Sequence, residues 1–481
     1  MHLFSPKVWR RAAHPLLIVF VLALALRLIN LAFLPSADAF FAEDDTFDYW
    51  QLGAKLAQPG EFWPALVSIT ARMPLYPLLI AGIRSTFGDA APWVVALLQA
   101  VIDAGTCSLI AALGALISPL VGLIAGVLAA LSVTLIVFST QILTDTLFLF
   151  FFTLMLLAGA QFARRPGNGL ATVAGLAGGI ALATRPAIAL LLAAAVPVVF
   201  AIVLRTRRRF TPALAAALLF AGTAAAPVVP VLLRNVIHYG SFDLTSQTGD
   251  HLAMWIVPLV AQRADGTPYH VTLERMEARY QERGLPVSCS LRKLDCAAEG
   301  GLDPHANPFR RAAIRTEVAR EEMARLPLSA YVKAWLDGMV VNLASPALLG
   351  DPRVRALPKP SFYATDGASL WERSRAYLFA HPGRYQLVLL VGLVAMLPFL
   401  MLEAIGFVML ARTRPWAALF AGGVLAYFLL ITGPVAAPKY RLPMEPVLIV
   451  LAALPLAWLV RVMTAAVTRC AEPGNNRDPT F

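Results

Sequence analysis

Long apolar runs separated by short polar breaks dominate this chain. A helix crossing about 30 Å of hydrocarbon at 1.5 Å per residue needs about 20 mostly apolar residues. Ten runs fit that requirement: 16–34, 92–116, 120–138, 144–162, 169–184, 186–204, 212–233, 386–411, 415–433 and 443–460. An eleventh, 74–88, holds Pro74, Pro77 and Arg84 and would reach only about 22 Å as a helix, so it is read as interfacial or re-entrant. The pattern predicts an all-α polytopic bundle of about ten transmembrane helices.

The polar breaks carry a second pattern. Short cytoplasmic loops of membrane proteins hold the excess of Lys and Arg. With ten spans, Lys7, Arg10 and Arg11, then Arg164 and Arg165, then Arg205, Arg207, Arg208 and Arg209, then Arg412 and Arg414, and finally Arg461 and Arg469 all fall on one side. Counting 74–88 as a full crossing would reverse every later loop. Residues 35–91, the turns near 139–143, 185–186 and 434–442, and the long loop 238–384 then share the outer face. This divides the chain into an N-terminal transmembrane core over 1–237 with its first outer loop at 35–91, an extracytoplasmic loop over 238–385, C-terminal helices over 386–464 and a cytoplasmic tail over 465–481. The first apolar run is longer than a cleavable signal's, so it is read as an uncleaved anchor.

Composition agrees with this reading and narrows it. At 58% hydrophobic and 14% charged, the chain is too apolar to be a soluble globule or a disordered segment. Its formal net charge of +11 would suit nucleic acid, but much of that excess lies in the cytoplasmic loops and is topological. Four cysteines do not make a disulfide scaffold. Cys289 and Cys296 lie together in the outer loop, where a disulfide and two free thiols are both open readings. The same loop has helix-like amphipathic stretches near 306–325 and 328–343, and the second is expected to lie along the membrane surface. His251, His270 and His305 fit no local metal-ligand spacing and are read as surface histidines. No P-loop, GxGxxG fingerprint, cysteine metal cluster or internal repeat occurs.

Candidate chemistry gathers on the outer side. The first loop opens with Glu43, Asp44, Asp45 and Asp48 just before the amphipathic stretch YWQLGAKL, so carboxylates sit near the membrane surface. Such an acid can cap a helix, or it can act as a general base. Arg72, Asp145, Arg185, Lys439 and Arg441 all stand beside apolar helix ends on that side. Charges at membrane depth cost about 2.5 to 3.5 kcal/mol on insertion scales and tend to be paired or functional. Cations beside acids at a lipid interface suit a shared anionic ligand, with a lipid-phosphate leaving group and an acceptor to be deprotonated.

The ordered series of an acidic first loop, RxPxYP at 72–77, TDTLF at 144–148, LATRP at 182–186, PVLLRN at 230–235 and RLP at 441–443 resembles the integral-membrane GT-C glycosyltransferases. It is most like the bacterial branch related to protein O-mannosyltransferases and lipid A aminoarabinose transferases. The resemblance implies a GT-C-like bundle with interfacial helices and a helical outer loop. It implies an inverting enzyme of the cytoplasmic (inner) membrane that moves a hexosyl or pentosyl unit from a polyprenyl-monophosphate carrier to a lipid, glycan or protein acceptor outside. It also implies Asp45 as the first-loop acid, with Asp44 second in line, and Asp145 as a supporting catalytic acid. Arg72 would contact the carrier phosphate, with Arg185, Lys439 and Arg441 binding phosphate or sugar. Arg234 and Asn235 fit a helix-closing role at least as well. No cofactor is required, although Asp44, Asp45 and Asp48 offer oxygen ligands of the kind that divalent metals take. Two other classes use similar features, a flippase for lipid-linked sugars and an O-antigen polymerase or ligase. The first calls for pseudo-symmetric halves, which this sequence lacks; the first-loop acids and RxPxYP speak against the second.

Overall fold

The computed structural model describes residues 6–42, 44–283, 307–362, 365, 367, 369–380 and 382–471. Cys289, Cys296, His305 and Glu43 lie outside them, and side chains 6–13, 44 and 467–471 are likewise not described. Every regular element among the described residues is helical.

The first helices are α1 (Pro6–Ala32), α2 (Asp44–Leu56), α3 (Phe62–Ser68), α4 (Leu75–Phe87), α5 (Ala91–Ala115), α6 (Pro119–Leu131), α7 (Val133–Ser139) and α8 (Asp145–Arg164). They continue as α9 (Asn168–Thr184), α10 (Ala189–Arg207), α11 (Phe210–Ala225) and α12 (Val229–Tyr239). The outer loop holds α13 (Thr248–His251), α14 (Val257–Ala264), α15 (Tyr269–Glu282), α16 (Pro308–Met323), α17 (Leu328–Ala344), α18 (Pro352–Arg355) and α19 (Leu370–Phe379). The chain then returns through α20 (Arg384–Thr413), α21 (Pro415–Thr432) and α22 (Glu445–Ala471).

All ten expected apolar runs are helical, but seven helical stretches among the described residues are long and apolar enough to cross a membrane, and nine if two bent pairs count as one span each. The bent pairs are α6 with α7 and α11 with α12; α9, at 17 residues, is shorter. One of the seven runs continuously from Leu75 to Ala115, yet Tyr76 on α4 hydrogen-bonds Gln99 on α5. A straight helix would put those two residues about 34 Å apart. The chain therefore doubles back at Gly88, whose positive φ of 52° suits a residue without a Cβ, and α4 lies beside the first half of α5.

Close helix packing follows from small residues. A Cβ on Gly175 or Gly179 of α9 would collide with the carbonyls of Phe220 or Ala224 on α11, so this GxxxG face brings the two backbones together. Outward, Val21 and Ile29 of α1 and Leu387, Val391 and Val394 of α20 are exposed, an apolar surface suited to lipid. On α17, Ala330, Ala334 and Gly338 face inward while Leu328, Val332, Leu336 and Val340 stay exposed.

The basic loops meet at one end. Arg164 and Arg414 both donate to the Leu116 carbonyl, Arg414 also to Ile117 at 3.1 Å, Arg461 to the Ser118 hydroxyl at 3.0 Å, and Arg207 to the Pro166 carbonyl at 3.2 Å. These side chains satisfy carbonyls that helix ends leave unpaired. The opposite ends of α8 and α10 carry the other charged group.

A buried ion pair braces the bend between α6 and α7. Arg27 of α1 is fully buried, pairs with Asp103 of α5 at 2.7 Å, and donates to the Ala130 and Ala129 carbonyls at 2.6 and 3.3 Å. It closes the open end of α6 where the helix breaks.

Candidate active site

Four chain segments bring their charges together at the end of the bundle opposite the arginine cluster. The first is α2, an amphipathic helix that starts at Asp44 and places Asp45, Asp48 and Tyr49 along one side, as residues three and four apart must be. The second is the irregular stretch before α4, where Pro74 ends any preceding helix and leaves Arg72 free to turn toward α2. The third is the open end of the α8–α9 hairpin, with Asp145 in the first turn of α8 and Arg185 just past the end of α9. The fourth is the 3₁₀ turn Pro438–Met444 before α22, which carries Lys439 and Arg441.

Arg72 reaches Asp45 at 2.6 Å and Asp48 at 3.1 Å from the same nitrogen, and its guanidinium lies 5.4 Å from the centre of the Tyr49 ring. Lys439 takes the other Asp45 oxygen at 2.8 Å. Arg185 pairs with Asp145 and lies over the Phe148 ring at 5.8 Å. The pairs are not isolated, because Arg185 also acts electrostatically on Asp45. Asp45, Arg72, Asp145, Arg185 and Lys439, read from the sequence as separate candidates, thus form one array of alternating charge. The Asp44 side chain lies outside the description.

Burial disfavours the charge on Asp45, but Lys439 and Arg72 outweigh it and hold its carboxyl well below the usual carboxylate range. Burial also disfavours the charge on Arg72; Tyr49, Asp45 and Asp48 outweigh it and raise Arg72 above the ordinary arginine value. Both groups are fully ionised at neutral pH.

Arg441 sits two residues from Lys439 in a different setting. It is 3% exposed, donates to Glu445 at 2.8 Å and to the Leu343 carbonyl at 2.6 Å, and pairs with Glu403 of α20. Its donors are thereby engaged in joining α20, α22 and the end of α17. Arg234 donates to the Leu66 carbonyl at 2.9 Å and Asn235 to the Asp243 carbonyl at 2.6 Å, tying α12 to α3 and to the following turn.

Two contributors escaped the sequence reading. Asp48, weighed only as a metal ligand, pairs with Arg72. Gln247, from the outer loop, orients its carboxamide so that the oxygen accepts from Arg72 Nη1 at 3.0 Å while the nitrogen donates to the Ala71 carbonyl at 3.0 Å. Its signal in the sequence is nil, since 175 residues separate it from Arg72. Two of the acids offered as metal ligands, Asp45 and Asp48, pair with the chain's own cations, and no group of three or more His, Cys, Asp or Glu placed to hold a metal occurs among the described residues. His251 and His270 are exposed.

Residues 71–233, about a third of the chain, match the model of the dolichyl-phosphate-mannose-protein mannosyltransferase family. The match supports the GT-C superfamily. Within the matched segment lie Arg72, Asp145 and Arg185, while Asp45, Asp48 and Lys439 fall outside it. The coarse activity that goes with it is glycosyl transfer from a polyprenyl-linked sugar. Among solved structures, the crystal structure of ArnT from Cupriavidus metallidurans bound to undecaprenyl phosphate aligns over 98% of this chain and 82% of that one, at 14% identity and a TM-score of 0.35. No curated protein sequence matches.

Proposed function

We propose that the protein is an inverting glycosyltransferase of the cytoplasmic membrane that moves a sugar from a polyprenyl monophosphate to a lipid, glycan or protein acceptor on the outer face. The observation that carries this reading is the array itself: three acids and three cations from four distant segments, held together at the end of the bundle opposite the basic loops. In this reading Arg72 and Lys439 take the carrier phosphate, Arg185 supports phosphate or sugar, and Asp45 accepts the acceptor's proton with Asp145 in support.

The charge balance favours this assignment. As the acceptor oxygen or nitrogen bonds to the anomeric carbon, the bond from that carbon to the phosphate oxygen breaks and the phosphate leaves with the electron pair. Its charge grows by one as it leaves. The acceptor proton passes to Asp45, so three cations then face two ionised acids, and the array gains the positive charge that the leaving group needs.

Asp45 is a weak base while Lys439 and Arg72 hold it ionised. A phosphate that draws those two cations away loosens that hold and makes Asp45 more basic once the donor is bound. Binding of the donor thus prepares the acid for its role.

The test is transfer by purified protein in lipid nanodiscs from a panel of polyprenyl-monophosphate sugars, with the anomeric configuration of donor and product read by NMR. The reading requires a product of inverted configuration and free polyprenyl monophosphate. Use of polyprenyl diphosphate donors alone would replace it with a polymerase or ligase, and translocation without transfer would replace it with a flippase.

A further inference from the structure

Below the charge array lies a buried polar chain that plays no part in the mechanism above. Gln99 of α5 is 1% exposed, and its amide nitrogen donates to two backbone carbonyls of the turn leading into α8, Ser139 at 3.0 Å and Gln141 at 2.7 Å. Its oxygen accepts from the Tyr76 hydroxyl at 2.5 Å. The orientation of this carboxamide is unambiguous, because carbonyls face one end and a hydroxyl the other. Tyr76 is fully buried and sets its ring edge-on to Tyr49 at 5.5 Å, and Tyr49 carries Arg72 on its face. The same turn is fastened on its other sides, by Ile142 N–H to the Phe40 carbonyl at 3.1 Å and by the Gln141 side chain to the Gly350 carbonyl at 2.5 Å.

Asp145 follows this turn directly, and Arg72 stands at the other end of the chain of contacts. We propose that Tyr76 and Gln99 are positioning residues for the transfer reaction, fixing the distance between the Asp145–Arg185 pair and the Asp45–Arg72–Lys439 group. This rests on the reaction proposed above. Helices α4 and α5 are rich in apolar side chains that would pack without any buried amide, and an amide there is costly unless every bond is made. Directional bonds fix geometry in a way that apolar packing does not, and displacement by about 1 Å at an active site can lower the rate about 100-fold.

The experiment compares wild type, Tyr76→Phe and the double variant Tyr76→Phe/Gln99→Met for kcat, donor KM and thermal midpoint. Tyr76→Phe should lower kcat by about 10- to 100-fold with donor KM changed less than about threefold, and should lower the thermal midpoint, since Gln99 keeps an unpaired oxygen. The double variant also leaves the Ser139 and Gln141 carbonyls without their donor, so its midpoint should fall further while kcat of the folded protein stays low. A kcat within about threefold of wild type in either variant, measured on folded protein, would show a purely structural role and overturn the proposal. Wild-type protein inactive on every polyprenyl-phosphate sugar would refute the reaction and the proposal with it, a result distinct from active wild type with indifferent variants.

Discussion

Lys439 and Arg441 are two cations in one short turn, and the structure gives them opposite fates. Lys439 Nζ holds one oxygen of Asp45 at 2.8 Å, and that carboxylate is about a third exposed at 33%, so a ligand can compete for the ammonium. Arg441 is locked between Glu403 and Glu445 with 4% of its side chain exposed. Lys439→Gln removes one cation aimed at the leaving phosphate while keeping a hydrogen-bond donor on a side chain one atom shorter. Loss of one such preorganised group costs about 100- to 1,000-fold in kcat, or about 2.7 to 4 kcal/mol of transition-state stabilisation. The lower end applies here, because Arg72 remains and solvent reaches the site. The assay is single-turnover transfer in nanodiscs, with folded protein measured by its thermal midpoint. Lys439→Gln should fold normally and lose about 100-fold in kcat, and Lys439→Arg should recover part of that. Arg441→Gln should behave differently, leaving two buried carboxylates without their cation, at a cost of about 3 to 5 kcal/mol in stability and a poor yield of folded protein. A Lys439→Gln enzyme with kcat and donor KM within about twofold of wild type would refute the assignment of this lysine to the phosphate.

Two further outcomes follow from the charge pairs. Asp45 has its folded-state pKa depressed below the unfolded value of about 3.9, so its contribution to stability is present above that value and is lost as pH falls through the folded pKa. Thermal midpoints measured from pH 7 down to pH 3 should therefore show an acid-side loss that is smaller in Asp45→Asn than in wild type; identical profiles would contradict the pairing. Arg27→Met should destabilise the protein by about 3 to 5 kcal/mol, since Asp103 and two carbonyls of α6 lose their partner, and Arg27→Met/Asp103→Leu should regain much of that, as measured by thermal midpoint. A double variant no better than the single one would count against the ion pair as the cause.

The membrane architecture was legible because its signals are local. Hydrophobic run length marks helices, and loop arginines mark a side; the structure gathers Arg164, Arg207, Arg414 and Arg461 at one end, as the loop charges had implied. The short segment 74–88 stands apart by its prolines and length, but its return against α5, where Tyr76 meets Gln99, is announced by no local pattern. Bends were hidden for a similar reason. The run 120–138 is uniformly apolar, and its break at Ser132 follows from that serine capping α7 and from Arg27, a hundred residues upstream, closing α6. In the site, charged residues next to apolar helix ends stood out by their cost in a membrane. What separates Lys439 from Arg441 is whether acids on other helices enclose the cation, and Glu403 lies 38 residues away from Arg441 in sequence. Gln247 had no signal because neutral outer-loop residues are unremarkable until the loop is folded over Arg72.

The central claim is that this charge array transfers a sugar from a polyprenyl monophosphate. Its most direct test is transfer of radiolabelled sugar in membranes supplied with polyprenyl-phosphate sugars, comparing wild type with Asp45→Asn and Arg72→Ala at matched levels of folded protein. The account predicts label moving to a lipid, glycan or protein acceptor with wild type only. Near-normal transfer by both variants, or carrier-lipid translocation without transfer that survives both substitutions, would contradict it.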